Sequence, residues 1–356
     1  MEGAAITSKI KVLIVDDSAL VREILARGLA MDPGIEVVGT AADPYAARDK
    51  IVFLKPDVLT LDIEMPKMDG VEFLKKLMPQ YPLPVVVVSA LTKKGAAITL
   101  EALEAGAVEI VTKPSTDISR NLNAMLADLR EKVKLAAATN VSAWKKNKKI
   151  ETGELKINKK ALAESTDKVI AIGASTGGTE AIRKILKAFP ATMPGVVIVQ
   201  HMPAGFTSHF AASLNDTCQM EVREAENGDR IMPGRVLIAR GDIHLEVHRS
   251  GGVYIVRLED GEKVCGHRPS VEVLFNSIAK FVGSNAIGVM LTGMGSDGAA
   301  GMLEMRKAGA RTMAQDEATS IVFGMPKVAF EKGGAERLVA LGDIPAAIID
   351  LLEVSA

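Results

Sequence analysis

The segment GASTGG, residues 173–178, places Ser175 among small residues where an apolar run, VIAIGA, gives way to helix-forming sequence. Residues 173–177 fit G-x-S-x-G, the spacing of a serine nucleophile projected from a strand-to-helix turn. Small neighbours permit the turn, and the amides opening a helix near Thr179 could face a developing oxyanion. Glycines there suit a phosphate- or nucleotide-binding turn as well, although Ser175 occupies the second glycine position of G-x-G-x-x-G. A serine needs a base. Of the five histidines, His201 follows the apolar GVVIVQ and so shares Ser175's place at a strand's carboxyl end. His209 falls in a helical pattern, His244 and His248 in a hairpin, and His267 in the loop CGHRPS, where it ranks second for a site role. Asp297, in the Gly-rich GMGSDGAAG behind another apolar strand, is the third group, one that would orient an imidazole and stabilise its charged form. Taken alone, a helix cap or turn residue is its other reading.

A second set of reactive side chains lies in the first half. Asp16 and Asp17 end KVLIVDD, Asp62 ends VLTLD, Ser89 lies near the end of PVVVVSA, and Lys113 near the end of VEIVTKP. Ligands of open α/β sheets bind outside the carboxyl ends of the strands, so these five side chains converge on one edge. Crowded carboxylates repel one another, and a hard cation such as Mg²⁺ suits them because it takes oxygen ligands and keeps positions open for phosphate oxygens. A central Asp beside such an ion can attack a phosphoryl group.

Both sets require strands that end at a common edge. The first half alternates apolar runs (11–17, 35–41, 58–62, 84–90, 108–114) with helical periods (19–30, 44–54, 70–78, 93–106, 119–137). Such alternation predicts a parallel sheet covered on both faces. Residues 136–160 lose this periodicity and are lysine-rich, which predicts a solvated interdomain linker. From about Lys168, KVIAIGAS, GVVIVQH, RVLIARG and AIGVMLTG predict strands, with helices over 179–189, 270–282 and 298–309. Residues 244–259, alternating around Gly251-Gly252, predict a hairpin. The expected organisation is a domain over 1–135, a linker over 136–166 and a doubly wound parallel α/β domain with an antiparallel hairpin over 167–356.

The composition carries 43 basic and 44 acidic residues, so nucleic acid is not expected as a partner. No apolar run reaches the length of a membrane span, so no membrane insertion is expected, and MEGAAITSK lacks a signal-peptide pattern. Cys218 and Cys265 form no metal spacing and read as reduced thiols of a cytoplasmic protein. A monomer is expected.

The motifs VDDS (15–18), LDIEMPKMDG (61–70), VSALT (88–92) and TKP (112–114) resemble those of response-regulator receiver domains. The resemblance implies a flavodoxin-like (βα)5 fold, Asp62 as phosphoacceptor, and Mg²⁺ held by Asp17, Asp62 and the Glu64 backbone carbonyl. Asp16 would support the pocket, and Ser89 and Lys113 would couple phosphorylation to a conformational change. Ile110 stands where many receivers carry an aromatic switch, so the signal would travel through backbone or packing. In the second half, GASTGG, QHMP, HRPSVEVLF, LTGMGSDGAAGM and VFGMP (322–326) resemble the catalytic domain of chemotaxis protein-glutamate methylesterases. That resemblance implies Ser175 as nucleophile, His201 as base, Asp297 as its partner, and the backbone near Met294, with Thr176, supporting the oxyanion. The implied substrates are methyl-accepting chemoreceptors, demethylated at glutamate methyl esters and deamidated at certain glutamines, with a histidine kinase as phosphodonor and no cofactor for the ester chemistry. IARG (238–241) stands where the family pattern has IAPG, and GSDG where GNDG is common. An unphosphorylated receiver that denies access to the active site is the expected form of regulation. A ligand-binding output domain and a non-enzymatic adaptor are the rival readings.

Overall fold

The structure, a computed structural model, describes residues 8–90, 93–113, 118–139, 141 and 167–354. The chain forms two compact units, Met1–Ser142 and Ala143–Ala356. Most of the expected linker, residues 140 and 142–166, lies outside the described residues.

In the first unit β1 (Ile10–Val15), α1 (Ala19–Ala30), β2 (Ile35–Ala41), α2 (Pro44–Leu54), β3 (Val58–Asp62), α3 (Gly70–Gln80), β4 (Val85–Ala90), α4 (Lys93–Glu104), β5 (Glu109–Lys113) and α5 (Ile118–Ala137) alternate without exception. The strands form one parallel sheet in the order β2-β1-β3-β4-β5. Helices start where capping chemistry dictates. Ser18, Asp43 and Asp69 accept from the amides of Val21, Ala46 and Glu72, and Pro44 opens α2 with its φ already fixed. Val12, Ile14, Val58, Val86, Val88 and Val111 share one buried cluster with Leu25, Leu29, Leu129 and Val133 of α1 and α5. Burial on both faces explains why these strands read as unbroken apolar runs.

The second unit contains β6 (Val169–Ala174), α6 (Gly178–Ala188), β7 (Gly195–Gln200), α7 (Phe206–Asn215), β8 (Glu221–Glu224), β9 (Arg235–Ile238), β10 (His244–Ser250), β11 (Val253–Glu259), α8 (Val271–Phe281), β12 (Ala286–Met290), α9 (Ala299–Lys307), β13 (Arg311–Gln315), α10 (Met325–Glu331), β14 (Arg337–Val339) and α11 (Ile344–Val354). Seven strands form a parallel sheet ordered β14-β13-β12-β6-β7-β9-β8. The hairpin β10–β11 forms its own two-stranded sheet and is tied to α8, where Ser277 Oγ accepts from the Val247 amide at 2.8 Å. Strands β8, β13 and β14 and helices α10 and α11 lie outside the predicted elements. EVRE, RTMAQ and RLV are too short or too polar to carry a strand period. No described helix is long and apolar enough to cross a membrane. Both cysteines are free thiols.

Candidate functional site

Each sheet reverses its strand order beside the first strand of its unit. β1 has β2 on one side and β3 on the other, and β6 has β7 on one side and β12 on the other. Such a reversal opens a crevice at the carboxyl ends, because the connections leave in opposite directions. Both sets of reactive residues sit at these two crevices.

In the first unit Asp16 and Asp17 follow β1 and Asp62 ends β3; one carboxylate oxygen of each lies within 4.8 Å of the others. Lys113, the last residue of β5, reaches Asp16 Oδ2 and Asp62 Oδ2 at 2.9 Å each. Asp16 Oδ1 accepts from the Ser18 amide and Asp62 Oδ1 from the Ile63 amide. Burial pushes the Asp62 carboxyl above the ordinary carboxylate range, against the Lys113 hydrogen bond, and nearby Asp16 adds to the rise. Burial would lower the Lys113 amine, but its bonds to Asp62 and Asp16 prevail and hold it above its ordinary value. One ammonium shared by two acids, with Asp17 alongside, leaves surplus negative charge. A hard, oxygen-liganded cation such as Mg²⁺ would relieve it, so the donor set fits the ion that the sequence suggested. Ser89 Oγ lies 3.0 Å from Thr99 Oγ1 of α4, itself 2.6 Å from the Gly95 carbonyl oxygen. Thr99 is fully buried and was not singled out in the sequence, where an isolated Thr in a helical run carries no signal.

In the second unit register does the positioning. Ala174 of β6 pairs with Gln200 of β7, so Ser175 and His201 are the next residues of two neighbouring strands. The His201 amide donates to the Ala174 carbonyl, and the Gln200 side-chain amide donates to the carbonyls of Ser175 at 2.9 Å and His201 at 3.2 Å. The Ser175 amide donates to the carbonyl of Thr292, whose hydroxyl donates to the Thr176 carbonyl at 2.9 Å. Ser175 packs on Gly293: a Cβ there would fall 2.7 Å from its own Cβ. The turn differs from the strained elbow suggested by G-x-S-x-G. Ser175 keeps a negative φ, and the left-handed residue is Gly177, at φ +77, which caps α6.

Asp297 is buried and held from three sides. Ser270 Oγ donates to Oδ1 at 2.6 Å, the Val271 amide to Oδ2 at 2.7 Å, and the Glu272 amide to Oδ1 at 3.1 Å. His201 Nε2 lies 2.7 Å from Oδ2. Burial alone would raise this carboxyl; the His201 hydrogen bond and charge, then Ser270 and Val271, outweigh it and hold Asp297 below its ordinary value. An ionised partner fixes the His201 tautomer with hydrogen on Nε2, leaving Nδ1 as the basic nitrogen. Nδ1 is buried and has no hydrogen-bond partner among the described residues. The expected contact between His201 and the Ser175 hydroxyl is therefore not closed as a hydrogen bond. Bonds of this kind are often long in ligand-free sites and tighten when substrate arrives.

The Met294 side chain is exposed and Thr176 is buried. The Met294 amide meets no acceptor among the described residues, as an oxyanion donor requires. His244 is structural: Nε2 meets the Glu262 carbonyl and Nδ1 accepts from the Ser270 amide. Arg240, the departure in IARG, is exposed, and Gly241 beside it packs onto Pro203 and Ala204, the loop that follows His201. Gln200, Ser270 and Thr292 escaped the sequence reading because buried polar support has no period or motif of its own.

A parallel five-stranded sheet with an acid–lysine pocket, followed by a second parallel sheet with Ser, His and Asp at its crevice, defines a response regulator with an α/β output unit. The response regulator receiver domain matches residues 12–127, and CheB methylesterase matches residues 170–348; the chain belongs to the CheB methylesterase family. A protein of Syntrophotalea carbinolica named protein-glutamate methylesterase/protein-glutamine glutaminase is 68% identical over 345 residues, covering 97% of this chain and 98% of its own. A protein of the same name from Sulfurimonas denitrificans is 56% identical over 346 residues, covering 96% and 98%. The crystal structure of the Thermotoga maritima CheB methylesterase catalytic domain is 38% identical, covers 52% of this chain and 98% of that one, and has a TM-score of 0.51.

Proposed function

We propose that this protein is a phosphorylation-regulated serine hydrolase that demethylates glutamate methyl esters, and deamidates certain glutamines, on the cytoplasmic helices of chemoreceptors. Ser175 is the nucleophile, His201 the general base and Asp297 its anchor. The observation that carries this reading is the His201 imidazole, bonded through Nε2 to a clamped Asp297 and left with a buried, unpartnered Nδ1 one residue past the pair Ala174–Gln200.

His201 Nδ1 takes the Ser175 proton as Oγ bonds to the ester carbonyl carbon. Asp297 stays ionised and stabilises the imidazolium through Nε2. The carbonyl oxygen becomes an oxyanion facing the Met294 amide, with the Thr176 backbone in support. The C–O bond to the methoxy group breaks, and His201 returns the proton so that methanol leaves. Water then gives its proton to His201, adds to the acyl carbon and releases glutamate and Ser175. With a glutamine substrate the leaving group is ammonia.

Phosphoryl transfer to Asp62 regulates this chemistry. Asp17, Asp62 and the Glu64 carbonyl would hold Mg²⁺, which when bound neutralises charge on the transferring phosphoryl group. Asp16 keeps Lys113 in place, and Lys113 and Ser89 receive the phosphoryl oxygens. A chemotaxis histidine kinase supplies the phosphate. Methanol release from methylated receptor membranes, with and without a small-molecule phosphodonor, tests the proposal. Wild type should release methanol faster with the donor, and Ser175→Ala should release it at least about 10³-fold more slowly; release near the wild-type rate by Ser175→Ala would move the nucleophile elsewhere. Removing residues 1–140 should raise basal release if the receiver restrains the hydrolase.

A further inference from the structure

His267 was the second-ranked histidine of the sequence, and the proposed chemistry leaves it without a role. In the structure its ring lies flat on His201: the centroids are 3.7 Å apart and the planes differ by 10°. We infer that His267 is a positioning residue for His201, a planar plate that fixes the plane of the imidazole and with it the direction from which Nδ1 can meet the Ser175 hydroxyl. The inference rests on the hydrolase reading above.

A hydrogen bond at Nε2 fixes one edge of the His201 ring and leaves rotation about that bond open. Asp297 cannot supply the missing constraint, because it meets the ring at a single nitrogen. A flat surface against one face supplies it, since tilting the imidazole would break ring contact over its whole area. The chain delivers this surface by a defined route. Val264 and His267 exchange both backbone hydrogen bonds, at 3.0 and 3.1 Å. Between them Cys265 and Gly266 both take positive φ, +53 and +82, the signature of a tight two-residue turn whose strict twist needs a glycine. Three residues after His267, Ser270 caps α8 and donates to Asp297, followed by the Val271 and Glu272 amides. One stretch of nine residues thus holds the base by its face and the acid by its oxygens.

Stacking also suits the charge change of the reaction. When His201 takes the serine proton, the imidazolium faces the π cloud of an aromatic ring. An aromatic plate can do this without a titrating nitrogen, so the role belongs to the ring plane.

The test uses the full-length chain, a phosphodonor and methylated receptor membranes, with Ser175→Ala as the arm that tests the hydrolase reading. His267→Phe keeps a plate, and His267→Ala removes it. Loss of orientation at a reacting centre costs on the order of 10- to 100-fold, so His267→Ala should lose about that much in kcat with KM unchanged. His267→Phe should keep kcat within about threefold of wild type, on the same argument that orientation is what matters. If alanine lowers the melting temperature, His267→Asn replaces it, with the same loss expected. An alanine variant that keeps its kcat overturns the inference, as does a phenylalanine variant that falls as far as alanine, which would assign the effect to the imidazole nitrogens. Methanol release near the wild-type rate by Ser175→Ala would instead overturn the hydrolase reading; the ring contact is then read from the His201 ring ¹⁵N chemical shifts, which should move on losing His267, and an unchanged spectrum would overturn the inference.

Discussion

Asp62 and Asp297 are both buried carboxylates at the reversal point of a parallel sheet, and their surroundings drive them in opposite directions. Asp62 has one amide, from Ile63, and a share of Lys113, and burial prevails, so its carboxyl is raised. Asp297 has Ser270, two amides and His201, and these prevail over burial, so its carboxyl is lowered. The difference is one of donors, since burial pushes both the same way. It matches the tasks proposed for them. A phosphoacceptor gains from an acid left short of donors, which a metal ion and a phosphoryl group can then occupy. A triad anchor gains from an acid held ionised, as His201 first and then Ser270 and Val271 hold Asp297.

The comparison can be broken or sharpened by substitution. The largest effect falls on the hydrolase: Ser175→Ala should lower methanol release by about 10³- to 10⁶-fold, with the fold and receptor binding retained, as measured by initial rates and co-sedimentation. Next, Asp62→Asn should abolish the phosphodonor response. Because burial raises the Asp62 carboxyl above its unfolded value, ionising it in the folded unit costs stability as pH rises through the carboxylate range. Asn removes that cost, so the receiver unit should melt at a higher temperature at pH 7 and show no gain near pH 3.

The opposite sign holds for Asp297. Its lowered carboxyl contributes stability that is present above the unfolded carboxylate value and lost as pH falls through the folded one. Ser270→Ala removes one donor, so the acid limb of the pH–rate profile should move to higher pH and kcat should fall about tenfold, the weight of one hydrogen bond to a charged group. An unmoved acid limb would show that the two amides suffice. The smallest effect should come from Thr99→Val, which deletes the hydroxyl beside Ser89. Basal release should stay at the wild-type rate and the phosphodonor response should shrink by about two- to fivefold, the weight of a single neutral hydrogen bond. With Ile110 in place of an aromatic switch, this hydroxyl pair is the route proposed from the phosphorylation site to α4.

Much of this was legible in the chain itself. Parallel strands buried on both faces must be continuous apolar runs, so VLIV, VLTL, VVVV, VIAI and GVVIVQ announced their strands, and the polar residue at each end announced an edge. That logic reached Asp16, Asp17, Asp62, Lys113, Ser175, His201 and Asp297. It failed for β8, β13 and β14, whose place in the sheet comes from pairing with neighbours and leaves no period in a segment of three to five residues. It failed equally for the supporting groups. Nothing local distinguishes Gln200 from any glutamine, or Ser270 from any helix cap, until the sheet brings a carbonyl or a carboxylate within reach.

Sequence alone therefore determined the identities of the reactive groups and their rank at strand ends, since side-chain chemistry and hydrophobic period are local properties. Tertiary structure decided what each group is. Which nitrogen of His201 meets Asp297, which aspartate is held below the ordinary carboxylate range and which histidine stacks on His201 all depend on donors and surfaces from segments distant in sequence. Packing supplies these, because electrostatic and stacking contacts act over a few ångströms of space whatever the separation along the chain.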